Sequence, residues 1–362
     1  MKIGLVTISQ GENYGNRLQN YAMQEVFKKL GHSVETISYG EDVRVSAKRL
    51  LIHFFKANIL KQKIHKLIKH DRFYLFNKRM INFSSTRYIC GKEFDTSAYD
   101  LFVAGSDQIW NLYFKDIEEF RDFMFLTFVP KGKKIAYSSS LGTNNVPKQY
   151  EKFFKDAIKE FDNISVRESA GANAIKEYCG IDVMTTVDPT LMLSYKEWDS
   201  FSKKPKELPK KNYLVVYFIS EISDTVKDYI DRVSKEHNLE VVILKAGSEL
   251  WIQIPDERYF CADPKEFVYY IAHSKLVITD SFHASVFSII FKRPFRIFER
   301  KDLDMSSRTK ELFNKINIGK WCIGDANLPL NQAFECDYSG VDEAIKKEQK
   351  KAFDYLKKAL KT

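Results

Sequence analysis

The residues best placed to do chemistry follow a short apolar stretch late in the chain. Residues 276–279 read Leu-Val-Ile-Thr, and Asp280, Ser281 and His283 come directly after them. In an open parallel sheet, ligands bind where strands end and where helix N-termini present free N–H groups to anions. A histidine there suits proton transfer, because its unperturbed pKa is about 6.5. The turn at 280–283 therefore predicts a reaction centre, although a capping turn with a merely packed His283 has the same pattern.

A second polar group follows the short apolar stretch 164–166. Arg167 stands there, directly before a predicted helix, so it is expected at the carboxyl end of another strand. A guanidinium offers fork-shaped recognition of phosphate or carboxylate. Pairing with Glu168 or another acid is the commoner outcome for a single arginine, and both interpretations stay open.

A third group of polar residues follows the predicted strand 101–104. A Gly-Ser turn leads into a carboxylate, an amide and a large aromatic ring, and the loop before residue 18 has a similar composition. Such a rim suits a sugar, whose apolar face stacks on aromatic rings while its hydroxyls meet polar groups. A tight turn anchored by a core tryptophan is the alternative. The residues expected on this sugar-binding rim are Asn13, Asn16, Arg17, Asp107, Gln108 and Trp110.

The elements that must position these residues alternate between strands and helices. Residues 2–8 predict a buried strand and 34–37 a second one; between them Leu18, Ala22 and Val26 recur every four residues, on one face of a helix. This βαβ opening favours a parallel sheet with a right-handed crossover. Its loop lacks a GxGxxG pattern, so it gives no support to dinucleotide binding.

The same rhythm continues along a chain long enough for two domains. The remaining strands are predicted at 101–104, 134–138, 164–166, 184–187, 213–218, 241–244, 276–279 and 295–298, and helices at 148–161, 169–179, 224–237, 264–273 and 284–292. A passage rich in Lys and Pro, 203–211, resembles a linker. We therefore predict an α/β protein with two Rossmann-like domains facing a cleft. The expected units are 1–202, which carries the polar rim, 212–338, which carries His283, and a C-terminal helix at 339–362 that packs back on the first domain.

The net charge of +9 arises from one segment. Between Arg44 and Arg79 lie 11 Lys or Arg and one acid, Asp71, which gives +10 and leaves −1 for the rest of the chain. Aromatic and aliphatic residues are interleaved with these cations over 44–84. A basic amphipathic segment of this kind can lie on an anionic membrane surface. It can also be the solvated face of ordinary helices; no recognised motif supports nucleic acid as a partner.

The five cysteines are widely spaced and form no CxxC pair. This pattern favours reduced thiols in a cytoplasm over a disulfide framework or a zinc site. The first residues run directly into a strand without the order of a signal peptide, and no apolar run reaches the roughly 20 residues of a membrane-spanning helix. We expect a cytoplasmic protein, placed at the inner face of the cell membrane if the basic segment binds lipid.

Together these segments resemble the polysaccharide pyruvyl transferase family over nearly the whole chain. The residues that carry the resemblance are NYGNRLQN at 13–20, GSDQIWN at 105–111, AYS at 136–138, SVRE at 165–168, DPTL at 188–191, TDSFH at 279–283 and SR at 307–308. Two positions depart from the family pattern: Ser281 stands where many members have Arg, and Ala284 where many have Gly.

The resemblance implies a fold like the GT-B glycosyltransferases and transfer of pyruvate from phosphoenolpyruvate onto a sugar as a ketal. It carries the acid or base over onto His283 and a phosphoenolpyruvate contact onto Arg167, and the polar rim of 1–202 becomes the acceptor side. Asp280 is expected to orient or charge-stabilise the imidazole, and Ser281 and Arg308 to contact phosphoenolpyruvate. Arg308, Arg17 or backbone N–H groups can each take the place of the arginine that is absent at Ser281. The implied acceptor is a sugar of a capsule or exopolysaccharide precursor, expected to be lipid-linked. The scheme requires no metal and no cofactor beyond the donor substrate.

Two other functions fit part of the same evidence. A GT-B-like glycosyltransferase that uses a nucleotide sugar has the same fold, and fold does not fix function. A basic scaffold that binds membrane or nucleic acid without catalysis is the non-enzymatic alternative.

Overall fold

The computed structural model describes residues 1–40, 60–245, 261–299 and 306–361. It contains two parallel β-sheets with helices packed around them, which confirms the predicted fold class. Every strand pair that the structure describes is parallel, as βαβ connections require.

The N-terminal sheet has seven strands. They are β1 (Lys2–Val6), β2 (Ser33–Tyr39), β3 (Phe83–Tyr88), β4 (Leu101–Ala104), β5 (Lys134–Ser139), β6 (Asn163–Val166) and β7 (Met184–Thr185). Their spatial order is β3-β2-β1-β4-β5-β6-β7. The order reverses between β1 and β4, so the loops that leave these two strands diverge and open a crevice at the carboxyl edge of the sheet.

The C-terminal sheet has four strands and the same kind of reversal. They are β8 (Tyr213–Phe218), β9 (Glu240–Lys245), β10 (Leu276–Thr279) and β11 (Phe295–Ile297). The order β11-β10-β8-β9 places the switch point between β8 and β10. The turn that carries His283 leaves β10, so it lies at this second crevice.

Helices cover the faces of both sheets, as the near-continuous burial of the central strands demands. The described helices are α1 (Tyr14–Lys29), α2 (Leu60–Met80), α3 (Lys115–Glu119), α4 (Arg121–Met124), α5 (Glu151–Ile158), α6 (Ser169–Cys179), α7 (Tyr195–Phe201), α8 (Asp224–Glu236), α9 (Pro264–His273), α10 (Phe282–Ile290), α11 (Ser306–Ile316), α12 (Gly319–Cys322) and α13 (Val341–Leu360).

Local signals located most of these elements. Strands β4, β8 and β10 and helices α6 and α9 have the predicted limits, and Asp263 caps α9 with Pro264 in its first turn as expected. Helix α10 begins two residues before the predicted 284, because Ser281 serves as its N-cap.

The sequence did not predict strand β3. It lies at the edge of the N-terminal sheet, and its residues alternate irregularly between buried and exposed. A strand with one partner and a polar Ser-Ser-Thr-Arg centre lacks the apolar alternation that identifies a half-buried strand.

The two sheets are joined by a shared apolar core. One continuous cluster of buried side chains includes Leu5 and Val103 of the first sheet and Val215 and Val277 of the second. At its centre Tyr14 stacks on Phe267 with 4.4 Å between ring centroids, and its hydroxyl donates to the Ala262 carbonyl at 2.8 Å. The domains therefore meet through packed aromatic rings.

The C-terminal helix α13 lies against the N-terminal domain. The Tyr355 hydroxyl donates to the Ala136 carbonyl at 2.7 Å, and the Gln349 amide donates to the Leu191 carbonyl at 2.6 Å. Leu356 is fully buried in the shared core. The domain limits 1–202, 212–338 and 339–362 themselves remain a prediction.

The basic segment falls only partly within the described residues, since 41–59 lie outside them. In the part of α2 that is described, Phe73 and Phe76 are buried in the core, so a membrane surface cannot use these two rings. Arg72 pairs with Glu266 of the second domain at 2.7 Å. Helix α2 thus helps to join the domains, and membrane contact by the rest of 44–84 stays a prediction.

Among the described helices, none combines the length and the apolar character that crossing a membrane requires.

Candidate functional site

A cleft of about 710 Å³ opens where the carboxyl ends of the two sheets face each other. Loops that leave β1, β2 and β4 form one wall, and the turns after β8 and β10 contribute the other. Both switch points therefore open into the same cavity, where an α/β protein binds its ligand. The predicted site residues that line it are Asn13, Asn16, Asp107, Gln108, Ser281, His283 and Arg308.

His283 is held at the start of α10 by contacts from both domains. Ser281 caps the helix by accepting a hydrogen bond from the Ala284 amide at 3.4 Å. The imidazole is nearly buried, and its Nε2 lies 3.5 Å from Asp188 Oδ2, an ion-pair distance at which no hydrogen bond is formed. On its other side the ring touches Gly15 so closely that a β-carbon there would overlap Nδ1.

Asp188 is the carboxylate beside the imidazole, and it comes from the N-terminal domain. Its Oδ1 accepts hydrogen bonds from the Thr190 amide at 3.0 Å and hydroxyl at 2.6 Å, and its Oδ2 accepts one from Arg167 Nη1 at 2.9 Å. Burial by itself would raise the pKa of the Asp188 carboxyl, but His283, Arg167 and Thr190 outweigh it and hold this pKa well below its ordinary value. Asp188 is therefore a fixed negative charge.

The sequence assigned the role of orienting the imidazole to Asp280, and the structure shows hydrogen bonds of that carboxylate to the loop after β8. The Asp280 carboxylate accepts hydrogen bonds from the Ile219 amide at 2.7 Å and from the Ser220 amide and hydroxyl at 2.9 and 2.6 Å. It therefore fixes the loop after β8, while Asp188 Oδ2 lies 3.5 Å from Nε2 of the imidazole. The sequence indicated Asp188 only as part of DPTL at 188–191, because no local pattern shows that Asp188 and His283, so far apart in the chain, meet.

Arg167 lies beneath the cleft and is surrounded by acids. Besides Asp188, it faces Asp107 with 3.5 Å between Nη2 and Oδ1, and its guanidinium lies 4.7 Å from the centroid of the Phe282 ring. Burial favours a lower pKa for Arg167, yet the neighbouring carboxylates raise it above its ordinary value. The side chain thus reaches across to the other domain, but its charge is already balanced.

Arg308 is the arginine that lines the cavity next to Ser281. Its guanidinium lies 5.9 Å from the centroid of the Phe282 ring. With the Gln108 amide turned so that its oxygen faces the guanidinium, that oxygen accepts hydrogen bonds from Nη1 at 3.1 Å and Nη2 at 3.3 Å. Arg308 therefore supplies positive charge near the position where many family members have an arginine and this chain has Ser281.

Two predicted acceptor-side residues do not line the cleft. Trp110 is 1% exposed, stacks on Phe125 at 5.6 Å and donates from Nε1 to the Met124 carbonyl, so it is a core residue. Arg17 is buried and donates to the carbonyls of Gln10 and Gly11; burial lowers its pKa to about 10. Arg17 shapes the loop that carries other cleft residues.

The two polar loops of the first domain are fixed by their own side chains. Asn13 caps α1 by accepting from the Gly15 amide at 2.9 Å. Asp107 adopts a left-handed conformation with φ of 76° and accepts from the Gln108 amide at 2.8 Å. These bonds hold the polar rim in place without consuming all its donors and acceptors.

The sequence missed the aromatic part of the cleft. Tyr39, Tyr113, Phe114 and Phe120 line it, and no predicted site included them. The composition around residues 113–125 is unusually aromatic, but rings are equally typical of a core, so the pattern alone did not distinguish the two.

Within the described ranges no group of three or more His, Cys, Asp or Glu side chains is arranged to hold a metal ion.

Two parallel-sheet domains that close a polar cleft over a buried histidine define a two-domain α/β protein with a ligand-binding cleft between the sheets. The chain belongs to the polysaccharide pyruvyl transferase family, whose model matches residues 13–302. The match confirms the family that the sequence predicted.

The similarity to an individual curated protein is low in identity and covers only part of the chain. General stress protein 30 of Bacillus subtilis (strain 168) is 27% identical over 200 residues, 54% of this chain and 55% of that protein. This chain therefore spans about half the length of that relative.

Solved structures resemble the chain only in outline. The S. aureus MnaA–UDP complex covers 99% of this chain and 91% of its own, with a TM-score of 0.48 and 9% identity. MurG of Acinetobacter baumannii covers 98% and 99%, with a TM-score of 0.40 and 7% identity. With TM-scores this low, these similarities carry no inference about activity.

Proposed function

We propose that this protein transfers pyruvate from phosphoenolpyruvate onto two hydroxyls of one sugar in a cell-surface polysaccharide precursor, as a cyclic ketal. The observation that carries the proposal is the cleft that brings His283, Arg308 and the N-terminus of α10 together. The family match supports the same reaction class.

The positive end of the cleft suits the two anionic groups of the donor. The N-terminus of α10 presents backbone N–H groups and the favourable end of the helix dipole, and Arg308 lies beside it. A guanidinium binds phosphate or carboxylate in a bidentate manner. We assign the donor phosphate and carboxylate to Arg308 and the α10 terminus, with Ser281 as a further contact. Arg167 fixes the positions of the Asp107 and Asp188 carboxylates beneath the cleft.

The chemistry then requires one group that gives and takes a proton. His283 protonates C3 of the enol, which becomes a methyl group, and C2 becomes cation-like. The first sugar hydroxyl attacks C2 and its proton returns to the imidazole. The second hydroxyl attacks C2, the C2–O bond to phosphate breaks, and the phosphate leaves with the remaining proton. Asp188 Oδ2 lies 3.5 Å from Nε2 and places a fixed negative charge beside the ring during both proton transfers.

The test replaces His283, the proposed general acid, and measures phosphate release. We expect His283→Ala to reduce phosphate release from phosphoenolpyruvate plus acceptor by about 10²- to 10⁴-fold, the usual contribution of general acid–base catalysis. His273→Ala is the matched control, because this histidine is exposed at the end of α9. Full activity of His283→Ala, with both variants folded, would contradict the assignment.

A nucleotide-sugar glycosyltransferase is distinguished by the donor that binds. Thermal stabilisation by phosphoenolpyruvate, without a response to UDP or GDP, supports pyruvyl transfer, and the reverse pattern replaces it with glycosyl transfer.

We also propose a lipid-linked acceptor and a cytoplasmic enzyme that meets the membrane through the basic segment 44–84. The support is the charge of +10 over 44–79. Reversing several of these charges should weaken binding to anionic liposomes and spare turnover of a soluble acceptor. Loss of both would place the segment in the acceptor cleft.

A further inference from the structure

The outer part of the cleft is built from a segment of the N-terminal domain to which none of the predicted site residues belongs. Tyr113 and Phe114 precede the short helix α3, Lys115 and Asp116 begin it, and Phe120 follows it. All five line the same cavity as His283. This segment therefore forms the wall that a second substrate would meet.

Tyr113 is fixed at both ends while its ring stays open to the cleft. Its backbone amide donates to Asn111 Oδ1 at 3.2 Å, and its hydroxyl donates to Asn145 Oδ1 at 3.0 Å. The residue is nevertheless 46% exposed, in contrast to the buried Trp110 nearby. An exposed ring that needs no further ordering is a suitable stacking surface, since little entropy is lost on binding.

The other rings stiffen this wall. Phe120 packs edge-on against Tyr39 with 5.2 Å between the centroids, and both line the cleft. Gln10 donates to the Tyr39 carbonyl at 2.8 Å, which ties the loop after β1 to the same wall. The aromatic surface and the polar loop are therefore held at a fixed separation.

The polar groups on this side suit hydroxyls better than charges. Gln10 and Asn16 contribute amides, and among the residues that the structure describes the Asn16 side chain has no hydrogen-bond partner. Lys115 and Asp116 are adjacent and exposed, so their charges offset each other. Amides both donate and accept, as a hydroxyl requires, but they cannot neutralise a carboxylate.

We propose that this wall is the acceptor subsite and that it binds a neutral pyranoside, whose apolar face stacks on Tyr113 while Gln10 and Asn16 bind its hydroxyls. The inference rests on the proposed function, because it takes the sugar as the second substrate. In this assignment Arg308 and the α10 terminus bind the anionic donor, and the two substrates occupy different parts of one cavity.

The test compares methyl glycosides, since an aryl aglycone would itself stack on a ring. Methyl glucoside, galactoside and N-acetylmannosaminide are measured against methyl glucuronide by saturation-transfer NMR, and then as acceptors by phosphate release. In Tyr113→Ala we expect the KM for the acceptor to rise roughly five- to tenfold, the size of one aromatic contact, with the KM for phosphoenolpyruvate unchanged. Tyr113→Phe keeps the ring and loses only the hydroxyl bond to Asn145, so its KM for the acceptor should lie between those of the wild type and Tyr113→Ala.

Tyr195→Ala is the matched control, because Tyr195 is 52% exposed and does not line the cleft. Equal binding of neutral glycosides by the wild type and Tyr113→Ala overturns the subsite, as does a preference for the glucuronide or no binding of any glycoside. If Tyr113→Ala loses glycoside binding while the wild type releases no phosphate from phosphoenolpyruvate, the subsite stands and pyruvyl transfer is wrong.

Discussion

At the residue scale, the site depends on one pair of side chains that belong to different domains. His283 enters from α10, and Asp188 follows β7 at the far edge of the first sheet. Only 3.5 Å separates His283 Nε2 from Asp188 Oδ2, so no third group fits between them. The imidazole therefore reaches its working environment only when both domains are folded and in contact.

Replacing the fixed carboxylate tests this dependence. We expect Asp188→Asn to lower kcat by about 10- to 100-fold, because the imidazolium loses a neighbouring negative charge, with the KM for the acceptor unchanged. Asp182→Asn is the control, since its carboxylate is exposed and pairs only with Lys176 among the described residues. A variant that keeps the wild-type kcat would remove Asp188 from the mechanism.

The same variant has a signature in the pH dependence of stability. The folded-state pKa of Asp188 is held below its unfolded value of about 4, so its contribution to stability is present above that pH and is lost as the pH falls below it. The difference in the free energy of unfolding between the wild type and Asp188→Asn should therefore shrink between pH 6 and pH 3. Urea denaturation at both pH values measures it.

At the element scale, the start of α1 meets the start of α10 with no space to spare. Gly15 has an ordinary helical conformation, yet a β-carbon would overlap the imidazole of His283. The glycine is thus required by the approach of the two helices and not by its own backbone angles. The first turn of α1 and the first turn of α10 form one contact between domains.

Gly15→Ala is expected to lower kcat at least tenfold by displacing the imidazole, while a helical alanine itself is not unfavourable. Gly171→Ala is the control: it is also helical, and the nearest atom to its β-carbon would be Leu141 Cδ1 at 3.3 Å, followed by Glu168 Oε1 at 3.4 Å. Kinetics together with circular dichroism separate displacement of the imidazole from unfolding. Wild-type activity in Gly15→Ala would show that α1 and α10 have more freedom than the structure implies.

The sequence predicted those elements whose signals lie in neighbouring residues, and it missed those that depend on distant partners. The Asp263–Pro264 start of α9 and the Leu-Val-Ile-Thr stretch of β10 act through neighbouring residues, and both were located. Strand β3 depends on its pairing with β2, and the partner of His283 depends on packing between domains, so neither was visible. Trp110 was misplaced because a ring after a turn fits a core as well as a rim.

At the scale of the whole molecule, the two domains share one hydrophobic core, where a polar, hydrated interface would be the alternative. Interfaces between domains in one chain are usually more polar and permit relative motion. Here Tyr14 stacks on Phe267 and also packs against Tyr217, with 5.6 Å between centroids, and all three are buried. The contact that joins the domains is next to Gly15, so the same helix start supports both cohesion and the site.

This arrangement predicts that the domains unfold together. Heating should give one calorimetric transition whose van't Hoff and calorimetric enthalpies agree, as for a single cooperative unit. Tyr14→Ala removes the stacked ring and its hydrogen bond to Ala262, at a cost of about 3–5 kcal/mol, and should separate the transition into two. Tyr74→Ala, on α2 and 42% exposed, is the control. Two well-resolved transitions in the wild type would show that the shared core does not couple the unfolding of the two domains, and that the His283–Asp188 pair can be lost while one domain stays folded.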